Sequence, residues 1–271
     1  MTVKVIVTDM DGTFLDDAKQ YDRDRFQAQF EQLKARNIEF VVASGNQYYQ
    51  LISFFPEIAH EISFVAENGG WVVSEGEDVF NGELSKAHFE TVASVLNDVP
   101  GIEIIACGKS SAYTLKCYDE GFKAIAAKYY HRLEMVSDFD NLNDIFFKFG
   151  LNVSDDEIPR IQALLHEKLS DIMVPVTTGH GSIDLIIPGV HKANGLRILQ
   201  QRWGIENSDV VAFGDSGNDA EMLKLVKYAF AMGNAADSIK AIAGYTTDDN
   251  NHDGALNVIQ AVLDNTPPFN A

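Results

Sequence analysis

The chain opens on Val3-Lys4-Val5-Ile6-Val7-Thr8, an apolar run rich in β-branched residues whose length suits a buried strand. Phe26, Phe30 and Leu33 then recur at the i, i+4, i+7 spacing of one helical face, which predicts a helix over 21–36. Residues 38–43 read as a second strand, 47–55 as a short helix stopped by Pro56, and 62–66 as a third strand. Asn68-Gly69-Gly70 turns the chain into Trp71-Val72-Val73, and Asn81-Gly82 marks another turn.

From about Glu83 to Pro188 this regular alternation is lost. Helical spacing appears at 86–97, 122–130 and 156–169, with strands at 102–106, 112–115, 145–149, 173–176 and 182–187. Thr177-Thr178-Gly179-His180-Gly181 has the glycine content of a hairpin loop. The alternating rhythm resumes at His191 with a helix over 192–202 and a strand over 210–213, followed by a helix over 220–226. A strand over 228–231 and helices over 237–243 and 254–263 complete it. The expected fold is α/β: a Rossmann-like, doubly wound, mostly parallel sheet built from 1–82 and 189–271, with an α+β unit of 83–188 inserted in it.

Composition narrows the function classes. The chain has 271 residues, 46% of them apolar, enough for real cores. Its 40 acidic against 21 basic residues give a formal charge of −19, which opposes nucleic acid and anionic lipid as partners. No apolar run approaches membrane-spanning length, and Thr2-Val3-Lys4 does not begin a secretory signal, so a cytoplasmic protein is expected. Cys107 and Cys117 lack metal-ligand partners at useful spacing and read as reduced thiols. The sequence sets no oligomeric state; a monomer is compatible with it.

The chemistry gathers where strands end. The first delivers Asp9-Met10-Asp11-Gly12-Thr13, two carboxylates followed by a residue that permits a sharp turn. The second ends in Ser44-Gly45-Asn46, and the strand over 210–213 in Gly214-Asp215-Ser216-Gly217-Asn218-Asp219. In a parallel sheet these termini share one edge, and Lys192 at the start of a helix is placed to add positive charge. Oxygen ligands from Asp9 and Asp215 suit Mg²⁺, and a carboxylate can attack phosphorus. Asp11 is left for proton transfer, Ser44 and nearby amides for the phosphoryl oxygens, and Lys192 for their charge. Asp219 reads equally as a helix cap or a site residue, and His180 as a loop residue or a substrate contact. Asp248-Asp249-Asn250-Asn251-His252-Asp253 reads as a loop and cap before the last helix.

Four segments, Asp9–Thr13, Ser44–Asn46, Lys192–Gly195 and Gly214–Met222, together resemble the motifs of haloacid dehalogenase-like hydrolases of the Cof type. The insertion is similar to that family's C2 cap, type B. The resemblance covers the whole chain and implies a Mg²⁺-dependent phosphatase of small sugar phosphates. In it, Asp9 is nucleophile and metal ligand, and Asp11 is acid/base while its backbone carbonyl also serves the metal. Ser44 and Gly45, with Lys192, hold the phosphoryl group, and Asp215 completes the metal site. Asn218 supports it from the substrate side and Asp219 from behind, while cap residues, His180 among them, select the sugar. A sugar phosphomutase, a phospho-aspartate signalling domain and a non-catalytic sugar-phosphate binder are the alternatives. The candidate leaving-group acid Asp11 and the large insertion argue against the signalling domain.

Overall fold

The computed structural model describes residues 3–179 and 181–270. The chain runs β1 (Val5–Thr8), α1 (Arg23–Ala35), β2 (Glu39–Ala43), α2 (Tyr48–Phe54), β3 (Ser63–Ala66), β4 (Trp71–Ser74) and β5 (Glu77–Asn81). It then forms α3 (Lys86–Asn97), β6 (Ile102–Gly108), β7 (Ala112–Leu115), α4 (Glu120–Tyr129), β8 (Leu133–Val136), β9 (Phe146–Val153), α5 (Ile158–Leu169), β10 (Val174–Gly179) and β11 (Ser182–Ile186). The last stretch is α6 (Lys192–Trp203), β12 (Val210–Gly214), α7 (Ala220–Leu225), β13 (Tyr228–Ala231), α8 (Asp237–Lys240), β14 (Tyr245–Thr246) and α9 (Gly254–Leu263).

The first sheet has eight strands in the order β14-β13-β12-β1-β2-β3-β4-β5. Its strands from β14 to β3 are parallel; β4 pairs antiparallel with β3, and β5 antiparallel with β4. β1 is buried at every position, as expected of a central strand covered on both faces. α1 buries Phe26, Phe30 and Leu33 on the face that the periodicity marks. Each such side chain contributes roughly 1.5–3 kcal/mol. Asp22 caps the helix by accepting the Arg25 N–H.

The second sheet, β10-β11-β9-β6-β7-β8, has six strands and is antiparallel except where β7 meets β8. It has its own apolar cluster, centred on Phe89, Phe149, Leu165 and Leu185. Phe147 crosses over from β9 and stacks on Trp71 of the first sheet, with ring centroids 5.8 Å apart.

The elements depart from the sequence pattern mainly at sheet edges. β5, β8 and β14 were not marked by it, and β5 and β8 are largely unburied, so they show no apolar alternation. β9 runs on to Val153, four residues past the expected end, because Gly150 and Asn152 interrupt the apolar run without interrupting the pairing with β6 and β11. α8 is a single turn, Asp237–Lys240, rather than a helix to 243.

Candidate active site

β1 delivers Asp9 immediately beyond Thr8, β12 beside it delivers Asp215 beyond Gly214, and β2 on its other flank delivers Ser44 beyond Ala43. From β1 the chain proceeds to β2 on one side, whereas β12 proceeds to β13 on the other. The three termini thus flank the point where strand order reverses, the usual ligand crevice of such sheets. Gly12 makes the turn after Asp11 with a positive φ of 75°, and a Cβ there would lie 2.7 Å from Asp215 Oδ2. Any side chain at that position would intrude on the carboxylate. Thr13 Oγ1 instead donates to Asp215 Oδ1 at 3.1 Å.

Lys192 is carried in from the far side by α6. That helix lies so close to β3 that a Cβ at Gly195 would meet Val65 Cγ1 at 2.4 Å. Lys192 is therefore buried at the helix start, and its Nζ donates to Asp9 Oδ1 and to Asp219 Oδ1, both at 2.7 Å. Asp219 Oδ2 accepts the backbone N–H groups of Asp215 and Ser216, each at 3.1 Å. Burial alone would depress the Lys192 ammonium, but Asp219 and Asp9 beside it raise it above the ordinary lysine value. Burial pushes the Asp9 carboxyl well above the carboxylate range; Lys192 opposes this, and Asp219 and Asp215 add to the rise. Burial and Asp219 likewise lift Asp215 to about 6.

Asp11 is held more openly. Lys19 Nζ donates to its Oδ1 and Asn46 Nδ2 to its Oδ2, both at 2.6 Å. Ser44 is buried, and its Oγ accepts the Asn46 N–H at 3.1 Å. Asn218 donates from Nδ2 to Asn68 Oδ1 at 3.1 Å and accepts from Ser216 Oγ at 2.7 Å.

Asp9, Asp11, Ser44, Gly45 and Asn218 all line one cavity of about 280 Å³ between the two sheets. Lys192 and Asp219 lie behind Asp9, and Asp215 lies beside it. His180 lies outside the described residues.

Several polar groups at this cavity were not singled out from the sequence. Lys19 was one. Lys148 of β9 is buried and donates to the Gly45 carbonyl at 2.6 Å and to Asp184 Oδ2 of β11 at 2.8 Å. Asn68 Nδ2 donates to the same Asp184 oxygen at 2.5 Å. These bonds tie the Ser44–Asn46 loop and Asn68 of the first sheet to β9 and β11 of the second. A signal was available: Lys148 and Asp184 are isolated charges inside apolar strands, Phe146-Phe147-Lys148-Phe149 and Ile183-Asp184-Leu185, and a buried charge needs a partner.

One oxygen from each of Asp9, Asp215 and Asp219 lies within 4.8 Å of the others. Asp219 is fully engaged by Lys192 and two amides, whereas Asp9 Oδ2 and Asp215 Oδ2 accept no hydrogen bond among the described residues. Crowded, anionic, all-oxygen donors fit a hard divalent cation such as Mg²⁺.

Carboxylates, a buried ammonium and a serine converging at the carboxyl edge of a doubly wound sheet define a phosphoryl-transfer hydrolase. The haloacid dehalogenase-like hydrolase family model matches residues 6–259, and the chain belongs to that family. It is a phosphoric monoester hydrolase. It is 65% identical over 269 residues, 99% of both chains, to the Escherichia coli K12 protein named 5-amino-6-(5-phospho-D-ribitylamino)uracil phosphatase YbjI. SMU.1108c of Streptococcus mutans UA159 superposes with a TM-score of 0.93 at 37% identity, covering 97% of this chain and 100% of that one. The subclass IIB sugar phosphatase BT4131 superposes with a TM-score of 0.80 at 19% identity, covering 95% and 98%, a likeness of fold. The ester named for the 65% relative is a phosphorylated ribitylaminouracil, not the simple sugar phosphate expected from the sequence. No helix among the described residues is long and apolar enough to cross a membrane.

Proposed function

We propose that the chain is a Mg²⁺-dependent phosphatase of small polyhydroxylated phosphate esters, with a phosphorylated ribitylaminouracil as its first candidate substrate and simple sugar phosphates as slower ones. The observation that carries the reaction is that Asp9 and Asp11 open into one cavity with Ser44, while Lys192 stands behind Asp9. The observation that carries the substrate is the 65% identity to YbjI.

In this reading the substrate phosphate lies against Ser44 and Gly45, and Asp9 attacks phosphorus in line. The bond from phosphorus to the ester oxygen breaks as the bond to Asp9 forms, and Asp11 gives its proton to the departing alcohol. Water then attacks the aspartyl-phosphate, Asp11 takes a proton from it, and inorganic phosphate leaves with the Asp9 carboxylate restored. Lys192 keeps the attacking carboxylate oriented and offsets charge on the phosphoryl oxygens. Asp219 fixes Lys192 and the Asp215–Ser216 turn. Mg²⁺, held by Asp9, Asp215 and the Asp11 carbonyl, would neutralise the repulsion between the anionic nucleophile and the anionic ester. Residues 83–188 act as a cap that covers the ester and keeps bulk water from it.

Phosphate release over a panel holding the ribitylaminouracil ester, ribitol 5-phosphate, and hexose and pentose phosphates tests this, with and without Mg²⁺. The ribitylaminouracil ester should give the highest kcat/KM. A higher value for any simple sugar phosphate removes the proposed order, and Mg²⁺-independent turnover removes the metal.

A further inference from the structure

α4 turns an apolar edge toward the cavity: Phe122, Ile125, Ala126 and Tyr129 stand at i, i+3, i+4 and i+7 and all line it. Ile125 is 57% and Tyr129 37% exposed, and with Met135 they are the large apolar side chains left open among the described residues. Two of those three thus meet at one cavity wall. β9 and β11 add polar residues to the lining, Asn152, Ser182 and Asp184, beside Ile105 and Leu151. A cavity with both kinds of lining suits a ligand that is hydroxylated along its length and carries a flat ring at one end.

The apolar wall is also held in register with the phosphate end. Gln50 of α2 donates to the Lys128 carbonyl in the last turn of α4 at 3.0 Å. Gln47 donates to the Arg132 carbonyl at 2.8 Å and accepts its N–H at 2.9 Å. Since α2 follows directly on the Ser44-Gly45-Asn46 loop, these bonds set the distance between the wall and the phosphate position. An exposed apolar edge pinned at a fixed place acts as a ruler for the far end of the substrate.

We propose that Ile125 and Tyr129 select esters whose alcohol carries a planar ring at the end remote from the phosphate. The ring lies on this face of α4 while the hydroxylated linker runs along Asn152 and Ser182. The inference rests on the substrate reading above and adds to it which residues recognise the ring. Tyr129 contributes its ring plane rather than its hydroxyl, so phenylalanine should replace it.

The test is the ratio of kcat/KM for the ribitylaminouracil ester to that for ribitol 5-phosphate, measured for wild type, Ile125→Ser, Tyr129→Ala and Tyr129→Phe. The ratio should fall roughly tenfold in the first two variants, through KM, and stay near wild type in Tyr129→Phe. An unchanged ratio in both Ile125→Ser and Tyr129→Ala overturns the assignment. Should wild type not hydrolyse the ribitylaminouracil ester, the substrate reading fails by itself, and flavin mononucleotide, a ribityl phosphate with a flat ring at its far end, replaces that ester in the ratio. A fall in Tyr129→Ala then supports the α4 wall, and a constant ratio overturns it.

Discussion

Lys192 Nζ lies 2.7 Å from Asp9 Oδ1, the lysine fully buried and the Asp9 side chain only 7% exposed, at the cavity, and it lies equally close to Asp219. One ammonium thus serves Asp9 and the residue that organises the Asp215 turn. Removing it leaves three neighbouring carboxylates, Asp9, Asp215 and Asp219, without a paired cation among the described residues. Lys192→Met should therefore cost about 3–5 kcal/mol of stability, read as a lower urea midpoint at unchanged slope. A midpoint equal to wild type would show that the pair is not held together in solution.

Asp9→Asn keeps the side-chain size and removes one of the crowded charges. It should abolish phosphate release, by at least about 10³-fold, while leaving the fold intact by circular dichroism. Retention of a tenth of the activity would remove Asp9 as nucleophile.

Asp11→Asn should slow alkyl esters by roughly 10²–10⁴-fold, because their leaving oxygen needs a proton. With p-nitrophenyl phosphate, whose leaving group scarcely needs one, the loss should be much smaller. Equal losses on both esters would take the acid role away from Asp11.

The gathering of Asp9, Ser44 and Asp215 was legible because each follows a strand that identifies itself. Asp9, Ser44 and Asp215 sit one residue beyond β1, β2 and β12, and a parallel sheet brings such positions together regardless of sequence distance. Lys192 was legible for another reason, its place at the start of a helix just after the chain returns to the first sheet. The side facing β9 and β11 was not legible as a site. Lys148 meets Gly45 across 103 residues, and Asn68 meets Asp184 across 116. No local pattern encodes those pairings, since they depend on how the second sheet is laid over the first. Asn68 read only as a turn residue, yet its side chain joins Asp184 to Asn218.

Among the described residues Asp9 and Asp215 each keep a carboxylate oxygen free of hydrogen bonds, so binding of Mg²⁺ should stabilise the folded chain measurably. At a hundredfold excess over Kd the gain is about 2.7 kcal/mol, or roughly 5–10 °C in Tm. Asp215→Asn should lose most of that rise. A full Mg²⁺-dependent rise in the variant would place the ion elsewhere.

Glu67 supplies a pH-dependent weakness in the fold. Its side chain is buried beside Lys148, with Oε2 3.4 Å from that ammonium and without a well-aligned hydrogen bond among the described residues. Burial raises its carboxyl from 4.5 to about 7; Lys148 opposes the rise, and Asp184 adds to it. Between those values the folded chain retains a proton that the unfolded chain has released. The stability that Glu67 contributes is thus complete below pH 4.5 and is lost as pH climbs through about 7. Glu67→Gln keeps the shape and removes the titration, so its urea midpoint relative to wild type should rise steadily across that interval and level off above it. A difference that stays constant with pH would mean that Glu67 is ionised in the folded chain throughout.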